Sequence, residues 1–418
     1  MPTTADLIQE PLITNDAVVF GLLMCCLGFV FYTSNLKNAK WFYKIIPALL
    51  MCYLLPALLS TFGIISPKTS GLWPIAKNYF LPGSLILMTL STDLKSILKL
   101  GPKALIMFFT ATLGIILGGP IAILITSVFS PDTLDGAGFE AVWRGLATLA
   151  GSWIGGGANQ TAMLELYQFD VQKYGAMLAV DVVVANLWMA FILFGAGKSE
   201  KIDKWLKADS SSIETLKKTM ADYTASVERK ATVTDFIKLA AIAFGGVGLS
   251  HFLGDNFSSW AESAPSLSTS ILASHFFWVV VISTTVGLFL SFTPSRKLEG
   301  AGASKLGSVF IYILVAIIGM KIDLSELIKY WDFIIIGLLW MGFHVGLLFL
   351  VAKLIKAPFF FLAVGSKANV GGAASAPVVA SAFHPSLAPV GVLLAVLGYA
   401  LGTYGAILCA TLMQIVSP

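Results

Sequence analysis

Apolar runs long enough to cross a lipid bilayer recur along this chain, at residues 16–33, 42–65, 104–128 and 334–352 among others. About 20 consecutive apolar residues span the hydrocarbon core as a helix. Lipid offers the backbone no hydrogen bonds, so a run of this kind folds as a helix that satisfies its own N–H and C=O groups. Two stretches break the pattern at matching places in the two halves. One reads Gly155-Gly156-Gly157-Ala158-Asn159-Gln160-Thr161, the other Asn369-Val370-Gly371-Gly372-Ala373-Ala374-Ser375. Non-helical backbone at membrane depth is tolerated only inside protein or beside a water-filled cavity. A glycine-rich, polar break in each half therefore points to the binding site of a secondary transporter.

Composition agrees with a membrane location. Of 418 residues, 57% are hydrophobic and 12% charged, and mean hydropathy is +0.84. Soluble domains carry about 25% charged residues. The net charge of +4 gives no sign of a nucleic-acid partner, because Lys and Arg on a polytopic chain mark loop topology. Cys25, Cys26, Cys52 and Cys409 all lie in apolar runs without CxxC spacing, which predicts packing or lipid-facing thiols, with no disulfide and no metal. Residues 1–15 contain no Lys or Arg, so the first apolar run is expected to be a retained helix and not a cleaved leader.

Basic residues cluster in alternate connections: Lys37, Lys40 and Lys44; Lys95, Lys99 and Lys103; eight in residues 198–230; Arg296, Lys297 and Lys305; Lys353 and Lys356. Residues 131–138 and 255–270 have none. The positive-inside rule places the rich set in the cytoplasm, with both termini non-cytoplasmic, in a cell (inner) membrane. This works only if residues 142–169 do not cross. A re-entrant hairpin there gives arms of about ten residues, or about 15 Å each, half the core thickness. Residues 358–384 have the same frame. The prediction is an all-α integral membrane protein with about ten transmembrane helices plus two re-entrant hairpins.

Sliding the second half by 216 residues superposes Gly155, Gly156 and Ala158 on Gly371, Gly372 and Ala374, and Gly175 on Gly391. A shift of 230 places Asp93-Leu94 on Asp323-Leu324 and Lys99 on Lys329. With five crossings per half, these become two inverted five-helix repeats, residues 1–197 and 233–418. Residues 198–232 form a cytoplasmic linker. Within it Ile213, Leu216, Met220, Tyr223 and Val227 share one helical face, which fits an amphipathic helix on the membrane surface or one packed on the loops.

Asp181 lies among Val180, Val182, Val183 and Val184. A carboxylate at that depth costs several kcal/mol unless paired or coordinated, so it is by default an ion or proton site, with purely structural satisfaction as the alternative. Asp181, Asn159, Thr161 and Asn186 are the candidate holders of Na+, although Asn186, five residues on, lies well round the helix. Half-helices meeting at mid-membrane expose N-terminal N–H groups suited to a carboxylate. Gly155, Gly156, Gly157, Gly371 and Gly372, with Asn159, Gln160, Ser366, Asn369 and Ser375, are accordingly the candidate solute site. Gly114, Gly118, Gly398 and Gly402 read as close-packing glycines, and His344 and His384 as packing residues. Lys367 has three open readings: a contact to a substrate anion, a pair with Asp181, or a side chain snorkelling to the interface. Glu165 is placed near an interface, and Tyr399, Thr403 and Tyr404 either line the second hairpin or pack.

The run Gly151-Ser152-Trp153-Ile154-Gly155-Gly156-Gly157-Ala158-Asn159 and the closing run 389–414 resemble a family of polytopic membrane proteins carrying a domain of unknown function, the YjcL-like group, over residues 81–414. More remotely, the paired tips are similar to the GGxG re-entrant loops of the sodium–glutamate and sodium–citrate symporters, although both tips here lack the last glycine. That resemblance implies a hairpin-bearing transport domain moving against a dimeric scaffold, elevator fashion, with sodium or proton coupling.

No P-loop, HExxH, GxSxG or dinucleotide fingerprint is present, so an enzyme is not expected and an intramembrane hydrolase is the remote alternative. The expected function is Na+-coupled symport of a small anionic organic solute, with H+ as the second choice of coupling ion and no cofactor. The rival is a cation/proton antiporter using Asp181 alone, which needs the buried acid but no anion site at the tips.

Overall fold

The computed structural model describes residues 11–46, 48–209, 213, 216, 230–265, 267–268, 271–322, 332–384 and 387–418. Among these the regular elements are helices. Helix α1 (Asp16–Ser34) begins where the Asn15 side chain accepts the Ala17 N–H at 2.9 Å. After α2 (Ala48–Thr61), the segments Leu72–Ile75, a π-turn Ala76–Phe80 and Leu81–Leu90 run on unbroken as α3. Helix α4 (Pro102–Phe129) opens on a proline, whose missing N–H costs nothing in the first turn. A hairpin follows within Val142–Tyr167, then α5 (Val171–Ala196), capped by Asp170 on the Gln172 N–H at 2.8 Å. The short α6 (Ser199–Leu206) leads out of the first half.

The second half repeats the order. Helix α7 (Val233–Ser263) starts on a reciprocal capping box of Thr232 and Asp235. Helices α8 (His275–Ser291), α9 (Ala303–Gly319) and α10 (Phe333–Leu354) precede a second hairpin with arms Phe359–Asn369 and Gly372–Phe383. Helix α11 (Ala388–Val416) closes the chain. Each half thus runs three helices, a fourth, a hairpin and a fifth.

Among the described residues, six helices, α1, α4, α5, α7, α10 and α11, are long and apolar enough to cross a membrane, and a seventh qualifies if α8 and the turn after it count as one span bent by 97°. This is an integral membrane protein. Asp323, Leu324 and Lys329, which carried part of the repeat match, lie outside the described residues, as do Met220, Tyr223 and Val227 of the expected linker helix. Ile213 and Leu216 are helical, with Leu216 buried. Asp93 caps the short helix Leu94–Leu98 through the Ser96 N–H and makes a part-buried pair with Arg296 at 3.0 Å.

Packing sorts these helices into two groups. Helices α1, α2, α3, α7, α8 and α9 pack on one another; α4, α5, α10, α11 and both hairpins form the other bundle. Helices α4 and α11 are the most enclosed of the spanning helices. Small residues let α11 sit that deep. A side chain on Gly402 would strike the Gly155 backbone, and one on Gly398 would meet the carbonyls of Ile154 (2.9 Å) and Ala368 (3.1 Å), one from each hairpin. The close-packing reading of Gly398 and Gly402 holds, and so does that of Gly114 and Gly118, which lie against His344 and Trp340 of α10.

Candidate functional site

The first hairpin turns at Gly156, whose φ of 72° and ψ of −171° no residue with a Cβ adopts comfortably. Its arms lie back to back, since a Cβ on Gly151 would run into the Asn159 carbonyl. That fold-back brings three donors from the two arms to one carboxylate on α5. Asp181 accepts from Ser152 Oγ at 2.6 Å, from Trp153 Nε1 at 2.7 Å and from Gln160 Nε2 at 3.2 Å. An ionised carboxylate has about four acceptor positions, so one remains. Tyr174, two turns before Asp181 on the same face of α5, and Tyr53 of α2 place their buried hydroxyls in the field of this carboxylate. Neither hydroxyl makes a regular hydrogen bond. Thr161, fully buried, donates to the Gly157 carbonyl at 3.0 Å.

The other expected members of the site have different duties. Asn159 donates to the Gly155 carbonyl at 2.9 Å and accepts from Thr403 Oγ of α11 at 2.6 Å. Thr403 Oγ1 also stands 2.9 Å from Thr284 Oγ1 of α8, whose single proton is shared between that contact and the Val280 carbonyl at 2.9 Å. This hydroxyl chain ties the first hairpin to the opposite bundle. Asn186 is not part of the site. It faces outward and donates to Val182 of its own helix at 2.8 Å, because five residues carry it well round α5 from Asp181.

The second hairpin turns through Val370 and Gly371, with φ of 118° at Gly371 and 56° at Gly372. Its first arm is held by its own polar residues. Ser366 accepts from Trp188 Nε1 of α5 and donates to His344 Nε2 of α10, both at 2.8 Å. His344 in turn donates through Nδ1 to the Ala111 carbonyl of α4 at 3.1 Å, so it is a satisfied core histidine, as its setting predicted. Asn369 accepts from Thr112 at 2.8 Å and donates to the Gly365 and Phe108 carbonyls. Ser366 and Asn369 therefore anchor the arm to its neighbours.

The tip is different. Lys367 is 2% exposed, so it does not snorkel. Its ammonium reaches the Ala185 carbonyl only at 3.4 Å and makes no ion pair within 4.0 Å among the described residues, although Asp181 lies in its field. It curls over the turn, where a Cβ on Gly371 would stand 3.2 Å from Nζ. Ser375 Oγ is buried beside the same turn with no hydrogen-bond partner, and the helix starting at Gly372 has no side-chain cap.

Both tips converge on one residue. A Cβ on Gly156 would be 3.3 Å from the Tyr399 ring of α11, and one on Gly372 would be 3.4 Å from it. On the other side of the first tip, Gly157 faces Ile311 of α9, so this tip lies on the seam between the bundles. Glu165, at the end of the first hairpin, pairs with Lys77 of α3 at 2.9 Å across the same seam.

Sequence reasoning found the tips, Asp181 and Gln160, and missed Ser152, Trp153, Tyr53 and Tyr174 as members of the carboxylate cluster. One signal was available. In a hairpin turning at Gly156, residues 152 and 153 on one arm lie opposite residue 160 on the other.

The chain belongs to the family described as "Protein of unknown function (DUF819)", which matches residues 21–416. It is similar to the "Uncharacterized membrane protein YjcL" of Bacillus subtilis (strain 168), at 23% identity over 347 residues that cover 81% of this chain and 83% of that protein.

Proposed function

We propose that this DUF819 membrane protein is a secondary active transporter, a Na+-coupled symporter of a small anionic organic solute, and not an enzyme. The carrying observation is the meeting of two glycine tips at Tyr399, the first on the seam between two bundles, with a carboxylate cluster behind one tip and unengaged donors at the other. Hard cations take oxygen ligands. The free position of Asp181, the hydroxyls of Tyr53 and Tyr174, and Thr161 would supply them for Na+. Lys367, Ser375 and the N–H groups of the helix beginning at Gly372 would hold the solute's carboxylate; the main chain of Gly155, Gly156 and Gly157 closes the site from the other side.

In this reading the short helices α2, α3, α8 and α9 join the six longer ones as ten crossings, the hairpins enter from opposite faces, and the halves are inverted repeats. The positive-inside rule sets both termini outside the cytoplasm. The bundle with the hairpins moves as a body against the other, which forms the dimeric scaffold that the symporter resemblance implies. The repeated element order and the division of packing support that motion.

The test is thermal unfolding of the detergent-purified protein in Na+, in K+ and across pH, with Asp181→Asn alongside. Ligand at about 100 times its dissociation constant adds roughly 2.7 kcal/mol of apparent stability. Na+ should raise the midpoint where K+ does not, and the variant should lose the rise. A response to pH alone, lost in the variant, would instead establish the Asp181 antiporter, and no response in either protein sinks the ion site.

A further inference from the structure

A groove runs between α5 and α10 on the outside of the hairpin bundle. Leu187, Phe191 and Phe194 form one wall and Met341, Val345 and Phe349 the other, around a cavity of about 450 Å³. From Val184 to Phe194 it follows eleven residues of α5, a rise of about 15 Å at 1.5 Å per step. That is one leaflet of a hydrocarbon core about 30 Å thick. At its end a second cavity of about 320 Å³ shares Phe194, Gly195, Ile202 and Phe349 with it and adds Lys198, Lys201 and Trp205. The slot is thus apolar along one leaflet and basic at its mouth.

The mouth is lined by basic side chains. Lys198 Nζ stands 4.1 Å over the Phe194 ring, and Lys353 Nζ stands 4.5 Å over Trp205. Neither Lys198 nor Lys201 makes an ion pair among the described residues. Glu200 is exposed on the same short helix, and Asp203 is turned away to accept the Phe359 N–H at 2.7 Å. Trp205, 55% exposed, is the amphipathic ring expected where tails give way to headgroups.

We propose that this groove is a binding site for one acyl chain of an anionic phospholipid, whose phosphate is held between Lys198 and Lys201. Apolar area in the slot supplies the chain's contacts, and lysines at a membrane surface favour anionic headgroups. A second copy of this chain fits less well. A two-fold contact sets the same patch against itself, which would bring the two lysine mouths together. The occupant would also rest on the elements that hold the second hairpin. Trp188, in the groove wall, is the indole that donates to Ser366, and Phe359 at the groove's end opens the hairpin's first arm.

The full-length protein in detergent is titrated with phosphatidylglycerol, with phosphatidylcholine of identical chains, and with inorganic phosphate, and the unfolding midpoint is read. Phosphatidylglycerol should raise it more than phosphatidylcholine, and phosphate should leave it unmoved. Lys198→Gln with Lys201→Gln should reduce the phosphatidylglycerol shift to the phosphatidylcholine level. Gly342 lines the groove, and a Cβ there meets nothing within 4 Å, so Gly342→Trp should fill the slot and remove the response to both lipids. Gly342→Leu provides a smaller filler if the tryptophan variant does not fold. Equal shifts with both lipids in the unsubstituted protein, or an unchanged preference in the double variant, overturn the proposal. So does a phosphate response equal to that of phosphatidylglycerol. A change from dimer to monomer in Gly342→Trp with its lipid response intact overturns it in favour of a subunit interface.

Discussion

The two hairpins share a backbone design and differ in how their polar groups are used. In the first, donors on both arms converge on an acceptor outside the hairpin, the Asp181 carboxylate. In the second, Ser366 and Asn369 diverge to α4, α5 and α10, and what is left at the tip is donors, Lys367 and Ser375. One tip therefore backs onto negative charge and the other carries positive charge, with Tyr399 between them. A symmetric break in the chain has become an asymmetric pair of sites. Helix α11 repeats the contrast, since it is enclosed by both hairpins while its counterpart α5 has an outer face of Val183, Leu187 and Phe191.

The largest effects should come from reversing that division. Asp181→Ala leaves three donors without their acceptor, at about 1–3 kcal/mol for each one buried and unpaired, so a stability loss of several kcal/mol is expected in denaturant unfolding. Lys367→Gln keeps a donor for the Ala185 carbonyl and removes the charge. It should retain the Na+ response of the unfolding midpoint while uptake of carboxylate solutes into proteoliposomes falls at least about tenfold, the equivalent of one 1.4 kcal/mol contact. Loss of the Na+ response in Lys367→Gln would merge the two sites into one and end the comparison.

A smaller difference separates the two turns. Gly156 sits at φ 72°, ψ −171°, a region open essentially to glycine alone, so Gly156→Ala should cost about 1–3 kcal/mol. Gly372, at φ 56°, lies in the left-handed region, where alanine costs about 1–2 kcal/mol, and its Cβ would touch Tyr399 at an ordinary 3.4 Å. Unfolding midpoints of the two variants should rank in that order. The reverse order would show that the second turn is the more constrained of the two.

The hairpins, their tips and Asp181 were legible because each is an anomaly in an apolar run: glycine clusters and a carboxylate at depth are costly, and cost is visible in composition. What polar residues do once buried was not. Asn159, Ser366 and Asn369 looked like ligands, yet amides and hydroxyls near a break in a helix are also what anchors the arms to Thr403, His344 and Thr112. Tyr53 and Tyr174 could not be told from packing aromatics, since the sequence places their rings but not the direction of their hydroxyls. Tyr399 owes its place to Gly398 and Gly402, whose packing role was readable while the identity of the packed partners, both hairpins at once, was not.

The entries of the two hairpins differ too, and that sets the smallest expected effect. The first hairpin starts at Val142 with no side-chain cap, whereas the second borrows one from α6, where Asp203 Oδ1 accepts the Phe359 N–H at 2.7 Å. Burial raises the Asp203 carboxyl above its usual range, and the Phe359 hydrogen bond only partly opposes this. The folded state therefore holds its proton at pH values where the unfolded chain has lost it. Stability falls as pH rises from the unfolded value through the folded one, then levels off. Asp203→Asn keeps a carbonyl for the Phe359 N–H and has no proton to lose, so its midpoint should gain on the unsubstituted protein as pH rises from about 4, near the ordinary Asp value, toward neutrality. Asp203→Ala leaves that N–H without its partner and should be less stable by about 1 kcal/mol at low and neutral pH alike. Parallel pH profiles for the Asn variant and the unsubstituted protein would mean that this carboxylate is solvated, and that the second hairpin enters the bundle as unassisted as the first.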